Sequence, residues 1–227
     1  EQILTFDEVL EIQADENSRR PAGAKQLGVY VETKHPTYFA NAGFDLNAML
    51  LATLERFDLN REGAPIVIQS MESGNLRQIR PETPLPLVQL VPWLGAPFDF
   101  VSSGDPRTYQ DLGTSSGLDF IAEYAQGVGV QKRHVIATDS NDRWTGETTF
   151  VAEAHERGLE VHVWTLRSEN NFLPRNLRRG RKKSRHGRAF AEHLAYLEAG
   201  VDGMFSDVTS TAVRALNHWL DNQPAAK

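Results

Sequence analysis

The sequence contains no cysteine. This excludes a disulfide framework, a thiolate zinc site and redox chemistry at sulfur, but leaves the compartment open. No stretch approaches the ~18 consecutive apolar residues of a membrane span. Residues 1–15, EQILTFDEVLEIQAD, are acidic and lack the apolar centre of a secretory signal. An initiator methionine is also absent. The chain opens on Glu1 in what reads as the lead-in to a helix, which points to a processed chain, an excised domain or a fragment. A formal net charge of −6 argues against general nucleic-acid binding. Internal repeats, low-complexity tracts and an interdomain linker are missing too.

What is present is globular in composition: 227 residues, 40% hydrophobic and 24% charged, enough for a single domain spanning 1–227. The charge is uneven. Arg175, Arg178, Arg179, Arg181, Lys182, Lys183, Arg185 and Arg188 place eight of the 24 basic residues in a run without an acid, leaving 16 against 30 acidic residues elsewhere. Three readings of this run stand open: a solvated loop, an electrostatic funnel for an anionic substrate, or an attraction to an anionic membrane surface.

Periodicity predicts alternating helices and strands. Thr5 and Glu8 form a capping-box pattern opening a helix that should fade before Asp15–Arg20. Strands are expected over 28–34, 65–70, 85–91, 127–130, 159–165 and 203–206. Helices are expected over 45–57, 74–79, 117–125, 146–157, 188–198 and 209–221, with a long loop through Pro92, Pro97 and Pro106. On helix 45–57 the apolar face reads Leu46, Met49, Leu50, Leu54 and Phe57. Strict alternation of this kind implies parallel strands with helical crossovers.

Strand parity separates two faces. Val29 and Val31, Ile66 and Ile68, and Val161 and Val163 make one aliphatic. The other carries Glu32, Gln69, Gln89, Trp164 and Phe205 near strand C-terminal ends. That layout fits the interior and active-site floor of a (β/α)8 barrel. No Gly-rich phosphate loop follows any strand, which weakens a nucleotide-binding sheet. Six strands do not close an eight-stranded barrel, so about two strands are expected to be missing on the N-terminal side.

Glu32 and Lys34, two apart at a strand end, are the most informative pair. The carboxylate suits a hard divalent cation and the lysine a phosphate oxygen. An ion pair closing the barrel top fits equally well. Gln69 and Gln89, if buried, need partners: substrate, ordered water or each other. Trp164 and Phe205 could wall an alcohol group or simply pack. His35, His134, His155, His162, His186, His193 and His218 show no ligand spacing, and none is expected to act as a general base.

Seven segments, in order, resemble the bacterial glycerophosphodiester phosphodiesterases of the periplasmic or secreted type. ILTFDEVLEI is similar to the family's "IPTLEEVLEL", GVYVETKHPTYF to "GxYxEIKxP", and IVIQSMESGNLRQIR to "VxIQSFDxxxLxxxR". PLVQLV, IAEYAQGVGVQK, AHERGLEVHVWTLRSENNFLP and YLEAGVDGMFSDVTSTAV follow as further counterparts.

The resemblance implies a TIM (β/α)8 barrel that hydrolyses a small-molecule glycerophosphodiester to glycerol 3-phosphate and an alcohol, with Ca²⁺ or Mg²⁺ as cofactor. It implies Glu32 as a metal carboxylate, Lys34 near the phosphate, and Gln69, Trp164 and Phe205 about the substrate. It also implies a periplasmic or secreted location. The family's "HRG…PENT" and "HD" motifs, which carry the catalytic histidines and two metal carboxylates, do not occur here. They are expected upstream of Glu1, so the chain alone should be inactive. The rival expectation is a non-catalytic anion-binding or scaffold module that keeps Lys34 and the basic loop.

Overall fold

A computed structural model of the chain describes residues 3–223. They form two compact units, one of residues 3–90, 96–107 and 123–126, the other of 91–95, 108–122 and 127–223.

The first unit opens with α1 (Phe6–Ser18), started by the expected capping box of Thr5 and Glu8. The helix runs beyond its expected end, through the polar stretch. Asn17 explains this: its amide accepts from Leu27 N at 2.7 Å and donates to Leu27 O at 3.0 Å, while Gln13 Nε2 also donates to Leu27 O. Polar side chains here clamp backbone instead of fraying the helix.

Next come β1 (Val29–Glu32), α2 (Pro36–Asn41) and α3 (Leu46–Arg56). Asp45 caps α3 by accepting from Ala48 N at 3.0 Å. Its buried face is Leu50, Leu51 and Leu54, each burial contributing about 1.5–3 kcal/mol. Met49, expected on that face, is 57% exposed, because the stripe leans towards Leu51.

Then follow β2 (Ile66–Ser70), α4 (Ser73–Ile79), β3 (Leu87–Val91) and α5 (Phe98–Ser103). β1 pairs parallel with β2, and β2 with β3. The register puts Val29 beside Ile66 and Val31 beside Ile68, so the expected aliphatic face exists.

The second unit contains α6 (Tyr109–Leu112), α7 (Ser115–Ala122), β4 (Gly127–Gln131), β5 (Ile136–Thr138), β6 (Trp144–Glu147), α8 (Phe150–His155), β7 (Glu160–Leu166), α9 (Ala189–Glu198), β8 (Gly203–Ser206) and α10 (Thr209–Asp221). β4, β7 and β8 pair parallel in that order. Fully buried Val128 and Val130 stand beside Val161 and Val163.

Alternation is not strict. The helix expected over 146–157 is in part β6, which pairs antiparallel with β5, and only Phe150–His155 is helical. An Asp139 turn makes the hairpin: Asp139 Oδ1 accepts from Asn141 N and Arg143 N, both at 2.9 Å. The long proline loop holds α5 and α6, and α2 was also not expected. Among the described residues β1 has one strand neighbour, β2, and β8 has one, β7.

Candidate functional site

In the first unit, Glu32 and Gln69 are register partners at the C-terminal ends of β1 and β2, on the face opposite Ile66 and Ile68. Glu32 Oε1 and Gln69 Oε1 are both buried without a hydrogen-bond partner. A carboxylate oxygen out of water without a donor is costly unless a cation or other donor reaches it. Strand pairing holds Glu32 in place: Thr33 N continues the ladder to Gln69 O at 3.0 Å.

Lys34 lies beyond the end of β1 and is exposed. No ion pair joins it to Glu32 among the described residues, which removes the structural ion pair as an account of the motif. Gln89 is a correction. Its neighbour in register is Ser70, not Gln69, so it faces the opposite side of the sheet. There Gln89 Oε1 accepts from Ser73 Oγ and Tyr124 OH, both at 2.9 Å, and it is fully buried. It is a structural amide between strand and helix, and it does not bond Gln69.

Sequence reasoning missed Glu72 and Asp99. Glu72 is 2% exposed and accepts from Thr37 N at 3.2 Å. Asp99 Oδ2 accepts from Gly74 N at 2.6 Å. Each keeps one buried oxygen without a partner. Burial pushes both carboxyls above their ordinary range, and the charge of Asp99 adds to the rise at Glu72. The signal for Glu72 was available, a carboxylate two residues past a buried strand; Asp99 sits 25 residues from its partner Gly74, where no pattern points.

In the second unit, Trp164 stands beside Gln131 in register, and its indole Nε1 is buried without a partner. It lines a cavity of about 490 Å³ with Lys132, Arg133, Arg167, Asn171 and Phe172. The Arg167 guanidinium lies 4.5 Å over the Phe172 ring. Lys132 Nζ donates to Phe172 O at 2.6 Å and pairs with buried Glu192 at 2.7 Å. Phe205 is half-buried on β8, one residue after Met204, which partners buried Val163 of the aliphatic face. Trp164 and Phe205 thus take the expected face of their sheet. His162 shares that face; burial lowers its pKa and favours the neutral ring.

Among the described residues no three or more His, Asp or Glu side chains cluster to hold a metal ion. Glu32 fits a hard cation as one ligand only, since Ca²⁺ takes about six to eight oxygens.

Parallel strands crossed by helices, with Glu32 and Gln69 at strand C-terminal ends in the first unit and Trp164 on a strand of the second, define an α/β protein. The chain belongs to the glycerophosphoryl diester phosphodiesterase family, whose model matches residues 1–211. It is 27% identical over 222 residues to glycerophosphodiester phosphodiesterase GDPD6 of Arabidopsis thaliana, covering 92% of this chain and 54% of that protein. A glycerophosphodiester phosphodiesterase of Treponema pallidum is 26% identical over 182 residues, 74% of this chain and 49% of that one. The chain thus spans about half the length of these relatives. A solved structure from Silicibacter pomeroyi, named for the same family, matches with a TM-score of 0.60 at 20% identity, covering 94% of this chain and 56% of its own. That likeness shows the fold, the α/β type expected.

Proposed function

We propose that this chain is one part of a metal-dependent glycerophosphodiester phosphodiesterase, which hydrolyses its substrate to glycerol 3-phosphate and an alcohol. Membership of the family and the two relatives support the reaction. One observation carries the cation: Glu32 Oε1, buried and without a donor, at the C-terminal end of β1. Bound there, Ca²⁺ or Mg²⁺ would neutralise phosphate charge.

The chain's own residues bind and orient. Glu32 holds the cation as one of several ligands. Exposed Lys34, without an ion pair among the described residues, offers its ammonium to a phosphate oxygen. Gln69 offers its amide beside Glu32. Trp164 donates its unpartnered N–H towards the alcohol half, and Phe205 gives an apolar wall. The general acid and base are histidines from strands outside this chain, so the chain alone is inactive. A periplasmic or secreted location belongs to the same reading and rests on the resemblance alone.

Two assays test this. Purified residues 1–227 should not hydrolyse glycerophosphocholine with Ca²⁺ or Mg²⁺, whereas the complete enzyme should, and a chelator should abolish that activity. Turnover by the chain alone would remove the claim of inactivity. Activity of the complete enzyme in excess chelator would remove the cation.

A further inference from the structure

The run of cations after β7 is built, not loose. Asn170, 2% exposed, is its centre: Nδ2 donates to Arg179 O at 3.0 Å and Lys182 O at 2.9 Å, and Oδ1 accepts from Arg179 N at 2.9 Å. Backbone bonds tie the two arms, from Asn170 N to Arg185 O at 2.7 Å, Asn171 N to Lys183 O at 3.0 Å and Gly187 N to Ser168 O at 2.9 Å. Leu173 and Leu177 pack with Ala189 beneath.

This scaffold shapes a cavity of about 480 Å³, lined by Arg175, Arg178, Arg181 and Lys183 with Asn170 and Asn171. Among the described residues no carboxylate lines it. Of its four cations only Arg178 has an ion pair among the described residues, with Asp142. Arg175, Arg181 and Lys183 therefore face one concavity with their charges uncompensated. Holding like charges together costs electrostatic energy that an anion would offset. The cavity shares Asn171 with the one that Trp164 lines.

We propose that this second cavity binds a phosphate group carried by the alcohol half of the diester. The inference rests on the hydrolase reading above and narrows its substrate class to glycerophosphodiesters whose alcohol bears a second phosphate. Among the described residues this second cavity offers a quaternary ammonium group neither a carboxylate nor an aromatic ring, whereas Asp142, Trp164 and Phe172 line the other one. Arginine forks suit phosphate oxygens instead, while Asn170, its amide fully used on backbone, holds the loop that carries them.

The first test needs no turnover. Inorganic pyrophosphate is titrated calorimetrically into residues 1–227 and into the double variant Arg181→Gln/Lys183→Gln. Both side chains are exposed and outside any ion pair among the described residues, so the variant should melt as the wild type does. Binding should weaken about tenfold or more, the scale of losing charge-assisted hydrogen bonds. Equal affinity in the two proteins would overturn the proposal. So would a loss seen only with phosphatidylglycerol vesicles and not with pyrophosphate, which would make the loop a membrane contact.

In the complete enzyme, kcat/KM should favour a diester with a second phosphate over glycerophosphocholine. The double variant should lose that preference about tenfold and keep its rate on glycerophosphocholine. Unchanged discrimination would overturn the substrate assignment. Turnover of neither diester would overturn the hydrolase reading and the assignment with it, whereas the pyrophosphate result still decides whether the cavity binds anions.

Discussion

Glu32 and Gln69 stand side by side at the last paired position of β1 and β2, and each keeps a buried oxygen that meets no donor. Two acceptors without a donor between them, on the face away from the aliphatic layer, are poor structure and a good cradle for a cation.

Replacing Glu32 by Gln removes the charge with little change of shape. Calcium affinity of the complete enzyme should fall, and its rate should drop by at least about 100-fold. Thermal stability without cation should not fall, because the substitution removes a charge from beside a buried oxygen that meets no donor. Activity retained at ordinary cation concentration would show that Glu32 is not a ligand.

Gln89 gives the contrasting case. Gln89→Leu takes away the acceptor shared by Ser73 and Tyr124 and should cost about 1–3 kcal/mol in denaturant unfolding. KM of the complete enzyme should not move, since the amide faces away from Gln69. A changed KM at unchanged stability would reverse that placement.

Glu192 links pH to stability. Burial pushes its carboxyl up to about 6, against the opposing pull of Lys132. The native group takes its proton more readily than the unfolded one, so ionising it costs stability above about pH 6. That cost, roughly 2 kcal/mol relative to the ordinary 4.5, is relieved as pH falls towards 4.5. His134, His162 and His193 act oppositely: burial holds them neutral, and they lose stability as pH falls below 6.5. The difference between wild type and Glu192→Gln isolates the carboxyl. Wild type should gain about 2 kcal/mol on the variant between pH 7 and 4.5; a difference independent of pH would contradict this.

Gly187 closes the basic loop. A Cβ there would press into Leu173 Cδ1 and lie 2.7 Å from Leu177 O and 2.8 Å from Asn170 Oδ1. Gly187→Ala should cost about 1–3 kcal/mol by overpacking. Amide exchange at Asn170 and Asn171 should quicken with it. Unchanged exchange would show that the loop tolerates the methyl.

The sequence by itself determined where the strands run and which face Glu32, Gln69, Trp164 and their aliphatic neighbours take, because alternation along a strand is local and buried faces demand apolar residues. Glu32, Gln69 and Trp164 were legible for that reason. It also carried the family, through seven short segments in order. It misread Gln89, because which residues stand side by side depends on strand register, and register is set between strands. The β5–β6 hairpin escaped because the Asp139 turn depends on side-chain bonds to nearby backbone, which hydrophobic periodicity does not record. Only the tertiary structure brought Asp99 to Gly74, left Lys34 beyond its strand without an ion pair, and folded a charge run around buried Asn170 into a cavity. Those outcomes depend on hydrogen bonds between residues far apart in the chain, and neither composition nor periodicity encodes which of them form.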